Sequence, residues 1–493
     1  MTVSNRNLSE ATAHQLTTWL TSGETTSVAI VSALLERIRD IDAPGTAIAL
    51  RSVLALAPDA LNSAQRADTE RAAGTVRSAL HGIPILVKDN IEAVGLPGTA
   101  GSTGLLNRPV RKDAPLVSRL RDAGLIILGS TNLSQWANMR SPLSTSGWSA
   151  VGGLTGNPYQ LDRCAGGSSS GSGAALAARL APLAVGTETD GSITCPASLN
   201  GVAGIKPTVG TVPGEGVVPI SASQDSAGPM ARTIRDVASL YEVLAAIDGV
   251  VNRVVLGQGD ARVGVATSLM TGHPATDALF HAALDTARGH GLTTVDVIVA
   301  EAGDVVGADE VTVLLCEMAD DLSEFLARRG GDGPSSLAEI IAFENAHCEV
   351  ELPFFGHEFF DMALASGGRA GPAYEAARAS NLAWALDTCL EPALAEVDCY
   401  LAPCYSPAWK NDLVLGGSGS ARWSQVTQAP AIAGWPIATV PMGLVEGLPV
   451  GMAVVGRPGS EPTMLAVAFA IERALGLHDA EALIPTFLQP HRG

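Results

Sequence analysis

Three short segments constrain the fold of this 493-residue chain more than any feature of its composition. The first is Gly82-Ile-Pro-Ile-Leu-Val-Lys88-Asp89. The second is Gly166-Gly167-Ser168-Ser169-Ser170-Gly171-Ser172-Gly173, which runs into Ala174-Ala-Leu-Ala-Ala178. The third is Leu183-Ala-Val-Gly186 followed by Thr187-Glu188-Thr189-Asp190-Gly191-Ser192-Ile193. Brief apolar runs bounded by glycine read as buried strands, and Pro84 is tolerated near a strand start. The alanine-rich stretch after Gly173 reads as a helix start with free N–H groups. Strands that lead into glycine-rich turns and helices predict an α/β architecture.

The same segments carry chemistry. A lysine at the end of an apolar strand is costly when charged, and burial lowers its pKa from about 10.4 toward neutrality, where the amine can act as a base. Its bland alternative is an ion pair with Asp89. The Gly/Ser run could be a plain loop or a phosphate cradle, but no Gly-Lys-Ser/Thr ending follows it. Gly167-Ser-Ser169-Ser-Gly171 also fits the Gly-x-Ser-x-Gly elbow, which would make Ser169 a nucleophile. That mechanism needs a histidine, and none of the nine histidines stands in a diagnostic setting. The turn around Gly191 can aim consecutive N–H groups into one space in front of Ser192.

Taken together, Lys88, the Gly-Gly-Ser-Ser run at Ser168 and a second serine 24 positions later, Ser192, resemble the amidase signature family. Asn157-Pro-Tyr-Gln-Leu-Asp-Arg163, Gly201-Val-Ala-Gly-Ile-Lys-Pro207 and Gly447-Leu-Pro-Val-Gly451 extend the likeness, which is clearest from residue 80 to 240. The resemblance implies Ser192 as nucleophile and Lys88 as base. Ser168 would follow a cis peptide bond and relay the proton between them. It also implies an oxyanion hole from the backbone of Thr189, Asp190, Gly191 and Ser192, with Ser169 supporting Lys88 by hydrogen bonding. No metal or cofactor is expected. The implied fold is one large α/β domain over 1–493, a mixed β-sheet covered by helices. It would hold an N-terminal helical layer (1–75), the signature core (80–240) and a variable substrate-channel region (300–420).

Departures from the family wording narrow the substrate. Many members carry an arginine two positions after the second serine, which in some helps to hold small acidic substrates; here that position is Thr194. Thr187-Glu-Thr-Asp-Gly-Ser-Ile-Thr-Cys-Pro196, Ser134-Gln-Trp-Ala-Asn138-Met-Arg-Ser141 and Cys404-Tyr-Ser-Pro-Ala-Trp409-Lys410 resemble peptide amidases, which remove the C-terminal amide of peptides. Asn138, Tyr405 and Trp409 are therefore candidate substrate contacts. Amidases of other neutral or aryl amides share the same centre. The glutaminase chain of a tRNA-dependent amidotransferase is a further class, but it usually reads Gly-Gly-Ser-Ile-Arg-Gln-Pro-Ala. Asp190-Gly-Ser-Ile-Thr-Cys-Pro-Ala197 lacks the arginine and glutamine. A non-catalytic binding protein would not need all three catalytic side chains.

A net charge of −19 disfavours nucleic acid and anionic membranes as partners, leaving a small-molecule or peptide amide. Only four lysines occur among thirty-one basic residues. The start Met1 to Arg6 leads into a polar, helix-like segment rather than an apolar core, and no run is long enough to span a bilayer. A cytoplasmic location is expected, or a secreted one had a leader been removed. Seven scattered cysteines predict free, mostly buried thiols.

Leu8 to Asp40 shows helical spacing, with Ser9 or Thr25-Thr26-Ser27 as caps. A strand near Ala47 and a helix before Gly74 should follow. Arg111 to Gly129 reads as helix then strand, an alternation that predicts a largely parallel, covered sheet. Residues 300 to 380 read as helix-rich, and because Phe354-Phe-Gly-His-Glu-Phe-Phe360 places aromatics beside polar groups there, this region is the candidate channel wall, with core packing as the competing account. Gly416-Gly-Ser-Gly-Ser420 reads as a mobile loop. No internal repeat is visible.

Overall fold

The N-terminal segment folds as the helices Asn5–Glu10, Ala13–Ser22 and Ser27–Ile41 in the computed structural model, which describes residues 5–257, 259–415, 425–478 and 483–485. Thr12 caps the second helix in a reciprocal box with Gln15, and Thr26 caps the third by accepting from Ala29 N at 3.1 Å. Ser9, the other expected cap, lies inside the first helix. Carboxylates from elsewhere complete both starts: Asp236 accepts from the amides of Ala13 and His14, and Asp68 from those of Ser27 and Val28. The N-terminal layer is thereby fastened to later helices.

One eleven-stranded sheet runs through the molecule. In chain order its strands are β1 (Val53–Leu56), β2 (Pro84–Lys88), β3 (Ile126–Thr131), β6 (Leu183–Glu188), β7 (Ala203–Lys206), β8 (Ser226–Ala231), β9 (Val263–Ala266), β10 (Thr294–Val297), β11 (Cys399–Pro403), β12 (Ile437–Val445) and β13 (Leu448–Gly456). A separate two-stranded ladder holds β4 (Trp148–Ser149) and β5 (Gly153–Leu154). The spatial order is β1-β3-β2-β6-β8-β7-β12-β13-β11-β9-β10. Helices cover the sheet, making a single α/β domain with a mixed sheet. Strands β2, β3, β6, β8, β11 and β13 are buried at every position, as their apolar runs require.

The strand near Ala47 forms later, at Val53. Ala49 and Arg51 sit at positive φ, so the chain turns there before it can extend. The sheet is also less parallel than the helix–strand alternation suggested. β2 is parallel to β3 and β6, and β9 to β10 and β11, but the remaining pairs are antiparallel. A two-residue turn explains one of these: Glu446 (φ 53°) and Gly447 (φ 79°) both adopt positive φ, which folds β12 and β13 into a hairpin. Gly416 to Ser420 lies outside the described residues.

Successive helices occupy the region from Asp304–Arg329 to Tyr374–Leu382. Its Phe355 lies under the Arg140 guanidinium at 4.5 Å and edge-on to Trp148, while buried Phe360 packs edge-on to Trp136. These aromatics join the segment Ser134–Ser141 to the helices. Trp136 Nε1 donates to Glu344 at 2.9 Å, and Arg140 Nη1 to the carbonyl of Glu351 at 2.5 Å. Seven free cysteines are present, six of them buried. Among the described residues no helix is long and apolar enough to cross a membrane.

Candidate active site

Strand direction gathers the polar groups. β2 and β6 lie side by side in parallel, and β6 and β7 are each antiparallel to β8, so all three run the same way. Their C-terminal residues, Lys88, Glu188 and Lys206, therefore emerge at one end of the sheet, the end where open α/β folds place their sites.

Lys88 is completely buried. Its Nζ donates to Ser168 Oγ at 2.8 Å, to Thr187 Oγ1 at 2.8 Å and to the Thr187 carbonyl at 3.2 Å. Burial brings its pKa down to about 7, with Asp225 and Glu188 pulling it back up. Asp89 is not its partner. Successive residues of an extended chain point to opposite faces, and the Asp89 carboxylate instead accepts from the Gly98 and Thr99 amides and the Thr99 hydroxyl. The Gly167–Ser168 peptide is cis.

Ser169 supports the lysine at one remove. Its Oγ donates to the Thr187 carbonyl at 3.1 Å and accepts from the Thr187 amide at 3.2 Å, so it fixes the residue on which Lys88 rests. Its own amide donates to the Ser192 carbonyl at 3.1 Å, tying the two serine segments together. Asn90, missed at the level of sequence, donates from Nδ2 to Thr187 Oγ1 at 3.0 Å. Only its closeness to Lys88 in the chain could have signalled it.

The turn after β6 is held from several sides. Glu188 Oε2 accepts from the amides of Ile193 at 2.6 Å and Thr194 at 2.8 Å. Thr189 Oγ1 donates to Asp225 at 2.5 Å, and Lys206 Nζ donates to the Thr189 carbonyl at 2.5 Å. Gly191 has φ 78°, a conformation that side chains disfavour. An added Cβ there would lie 2.5 Å from the Tyr405 hydroxyl. Among the described residues, no protein oxygen accepts from the amides of Asp190, Gly191 or Ser192. N–H groups without acceptors in a largely buried turn are suited to an incoming oxyanion.

A cavity of about 350 Å³ opens beside this turn, with Ser168, Thr187 and Thr189 in its wall. Val217, Val218 and Phe325 give it an apolar side, and Phe325 comes from the helix Asp304–Arg329. Asp321, Glu324 and Arg328 of the same helix also line it, whereas Phe354 and Phe355 pack against Trp148, and Phe360 packs against Trp136 at the edge of a smaller adjoining cavity. Five acidic residues line the cavity, Glu188, Glu215, Asp225, Asp321 and Glu324, against one basic residue, Arg328.

The three candidate substrate contacts lie around the serine segments but outside this cavity wall. Asn138 Nδ2 donates to Ser146 Oγ at 3.1 Å, and Ser146 packs on Gly167. Tyr405 covers Gly191 with its hydroxyl. The Trp409 carbonyl accepts from Cys164 N at 2.8 Å, just before the Gly/Ser run.

The amidase family profile matches residues 29–465. The chain belongs to the amidase signature family. Its fold is similar to that of the peptide amidase of Stenotrophomonas maltophilia, with a TM-score of 0.89 and 39% identity over 97% of this chain and 99% of that one. A Schizosaccharomyces pombe protein of amidase name is 32% identical over 96% of this chain and 86% of that protein. A chain of the glutamyl-tRNA(Gln) amidotransferase of Symbiobacterium thermophilum is also 32% identical, over 93% of this chain and 96% of that one. This amidase is thus a hydrolase of amide C–N bonds.

Proposed function

We propose that this amidase removes the C-terminal amide of peptides, releasing ammonia, through Ser192, Ser168 and Lys88. Neutral Lys88 accepts a proton from Ser168 as Ser168 takes the proton of Ser192. The Ser192 oxygen then bonds to the amide carbon, and the carbonyl oxygen becomes an anion facing the amides of residues 189 to 192. As the C–N bond breaks, the proton returns through Ser168 to the nitrogen, which leaves as ammonia. Water, deprotonated along the same path, cleaves the acyl-enzyme to give the peptide acid and restores Ser192.

The observation that carries the substrate assignment is the likeness to a peptide amidase over nearly the whole of both chains. Two features of the site support it. Among the described residues, Arg328 is the one basic residue in the lining that could pair with a substrate carboxylate, and Thr194 supplies no cation. An N-blocked dipeptide amide should therefore release ammonia efficiently and malonamate little. A coupled ammonia assay on both decides; faster turnover of malonamate would overturn the substrate assignment. Similarity to the amidotransferase chain keeps that class in view. Size-exclusion of the protein with candidate partner chains separates the two.

The pH dependence follows from the lysine. Only the neutral amine accepts a proton, and burial holds Lys88 near 7. For a neutral substrate, kcat/KM should fall about tenfold per pH unit below about pH 7 and level off above it. A flat profile through that range would contradict the assignment of Lys88 as base.

A further inference from the structure

Lys206 is the second lysine buried at this end of the sheet, and the reaction above leaves it without a task. It is fully buried, and its Nζ reaches the Thr189 carbonyl at 2.5 Å. Four carboxylates act on its charge. Glu188 and Asp190 come from the turn after β6, Asp225 from the approach to β8, and Glu310 from the helix Asp304–Arg329. Three of them also act on the chain nearby. Glu188 holds the amides of Ile193 and Thr194, and Asp225 holds the Thr189 hydroxyl together with the amides of Ile220 and Ser221. Glu310 accepts from Gln428 at 2.9 Å. Burial lowers Lys206, and all four carboxylates pull it back toward the charged form; burial also raises the carboxylates themselves.

A peptide plane has two ends. An ammonium that grips the Thr189 carbonyl fixes the plane whose N–H belongs to Asp190, one of the donors without a protein acceptor. We infer that Lys206 is a positioning residue that sets the direction of the oxyanion-binding amides by holding the Thr189 carbonyl, while its charge allows Glu188 and Asp225 to clamp the same turn. It is not among the residues that line the cavity. This rests on the reading of residues 189 to 192 as the oxyanion hole, and it goes beyond that reading by naming what orients the donors.

Such a residue affects the transition state more than the bound substrate, since the full anion exists only during reaction. In Lys206→Met, kcat for a dipeptide amide should fall about 100-fold with KM changed less than about threefold. A peptide aldehyde probes the same donors without turnover. The Ser192 oxygen adds to its carbonyl carbon, the serine proton passes to Lys88, and the aldehyde oxygen takes the negative charge. Its inhibition constant should rise by about the factor that kcat/KM loses. Inhibition by the product peptide acid, which forms no such adduct, should stay unchanged.

A cluster of carboxylates without its lysine could also misfold, so Lys206→Arg is the companion variant. It keeps the charge but replaces a compact ammonium with a wider fork. It should fold with little change in Tm and still lose about tenfold in kcat. The inference is overturned if either folded variant keeps wild-type kcat, or if kcat falls without weakening the aldehyde. A failure of the oxyanion reading itself looks different, because a folded Gly191→Ala, which disturbs the turn that carries those amides, would then leave both kcat and the aldehyde's inhibition constant at the wild-type value.

Discussion

Ser192→Ala is expected to lower kcat by on the order of 10⁵-fold or more while leaving the fold intact. The change removes one oxygen from a side chain that is 7% exposed, and the bond between Ser192 and Ser169 runs through the Ser192 carbonyl, which alanine keeps. Tm should therefore move by no more than a few degrees. Ser169→Ala is the informative control. It removes the hydroxyl that accepts from the Thr187 amide and donates to the Thr187 carbonyl, loosening the seat of Lys88 without taking away a reacting atom. It should retain appreciable activity. Steady-state ammonia release from purified, folded variants distinguishes them, and a dead Ser169→Ala beside an active Ser192→Ala would move the nucleophile to the Gly-x-Ser-x-Gly elbow.

The second large effect is expected for Lys88→Arg, with kcat reduced by roughly 10³-fold or more. Arginine keeps the positive charge and its donors but does not give up its proton at accessible pH. If Lys88 only compensated Asp225 and Glu188, arginine would serve nearly as well. If it accepts the proton from Ser168, arginine fails. Because the site is fully buried and arginine is larger, circular dichroism should accompany the assay, with Lys88→Met as a neutral variant of similar length. Substantial activity in either folded variant would remove Lys88 from the proton path.

Legibility in the sequence depended on whether a signal was local. Lys88 was readable because a lysine closing an apolar run is costly wherever the chain goes, and the Gly/Ser run with Gly191-Ser192 was readable by its wording. Lys206 closes Ala203-Gly-Ile in the same manner, yet the run is shorter and Pro207 directs attention to a turn, so its place beside Thr189 emerged only with the strand order. Asp225 carries no local signal at all. It reaches Thr189, 36 positions earlier, because β8 pairs antiparallel with β6. The same long-range pairing made the sheet more antiparallel than the helix–strand alternation implied. Which side chains of residues 300 to 380 would reach the cavity was unreadable for a related reason: aromatics beside polar groups fit a channel wall and a packed seam equally well, and Trp136, Trp148 and Arg140, distant in sequence, draw Phe354, Phe355 and Phe360 into a seam while Phe325 reaches the cavity.

The most direct test of the account takes one peptide in its C-terminal amide and free-acid forms, incubates each with the enzyme and with Ser192→Ala, and reads the products by mass spectrometry. The amide should convert to the acid with release of ammonia in the wild type alone, and the free acid should stay intact throughout. Efficient cleavage of internal peptide bonds, or an amide left unchanged by the wild type, would contradict the peptide-amide assignment.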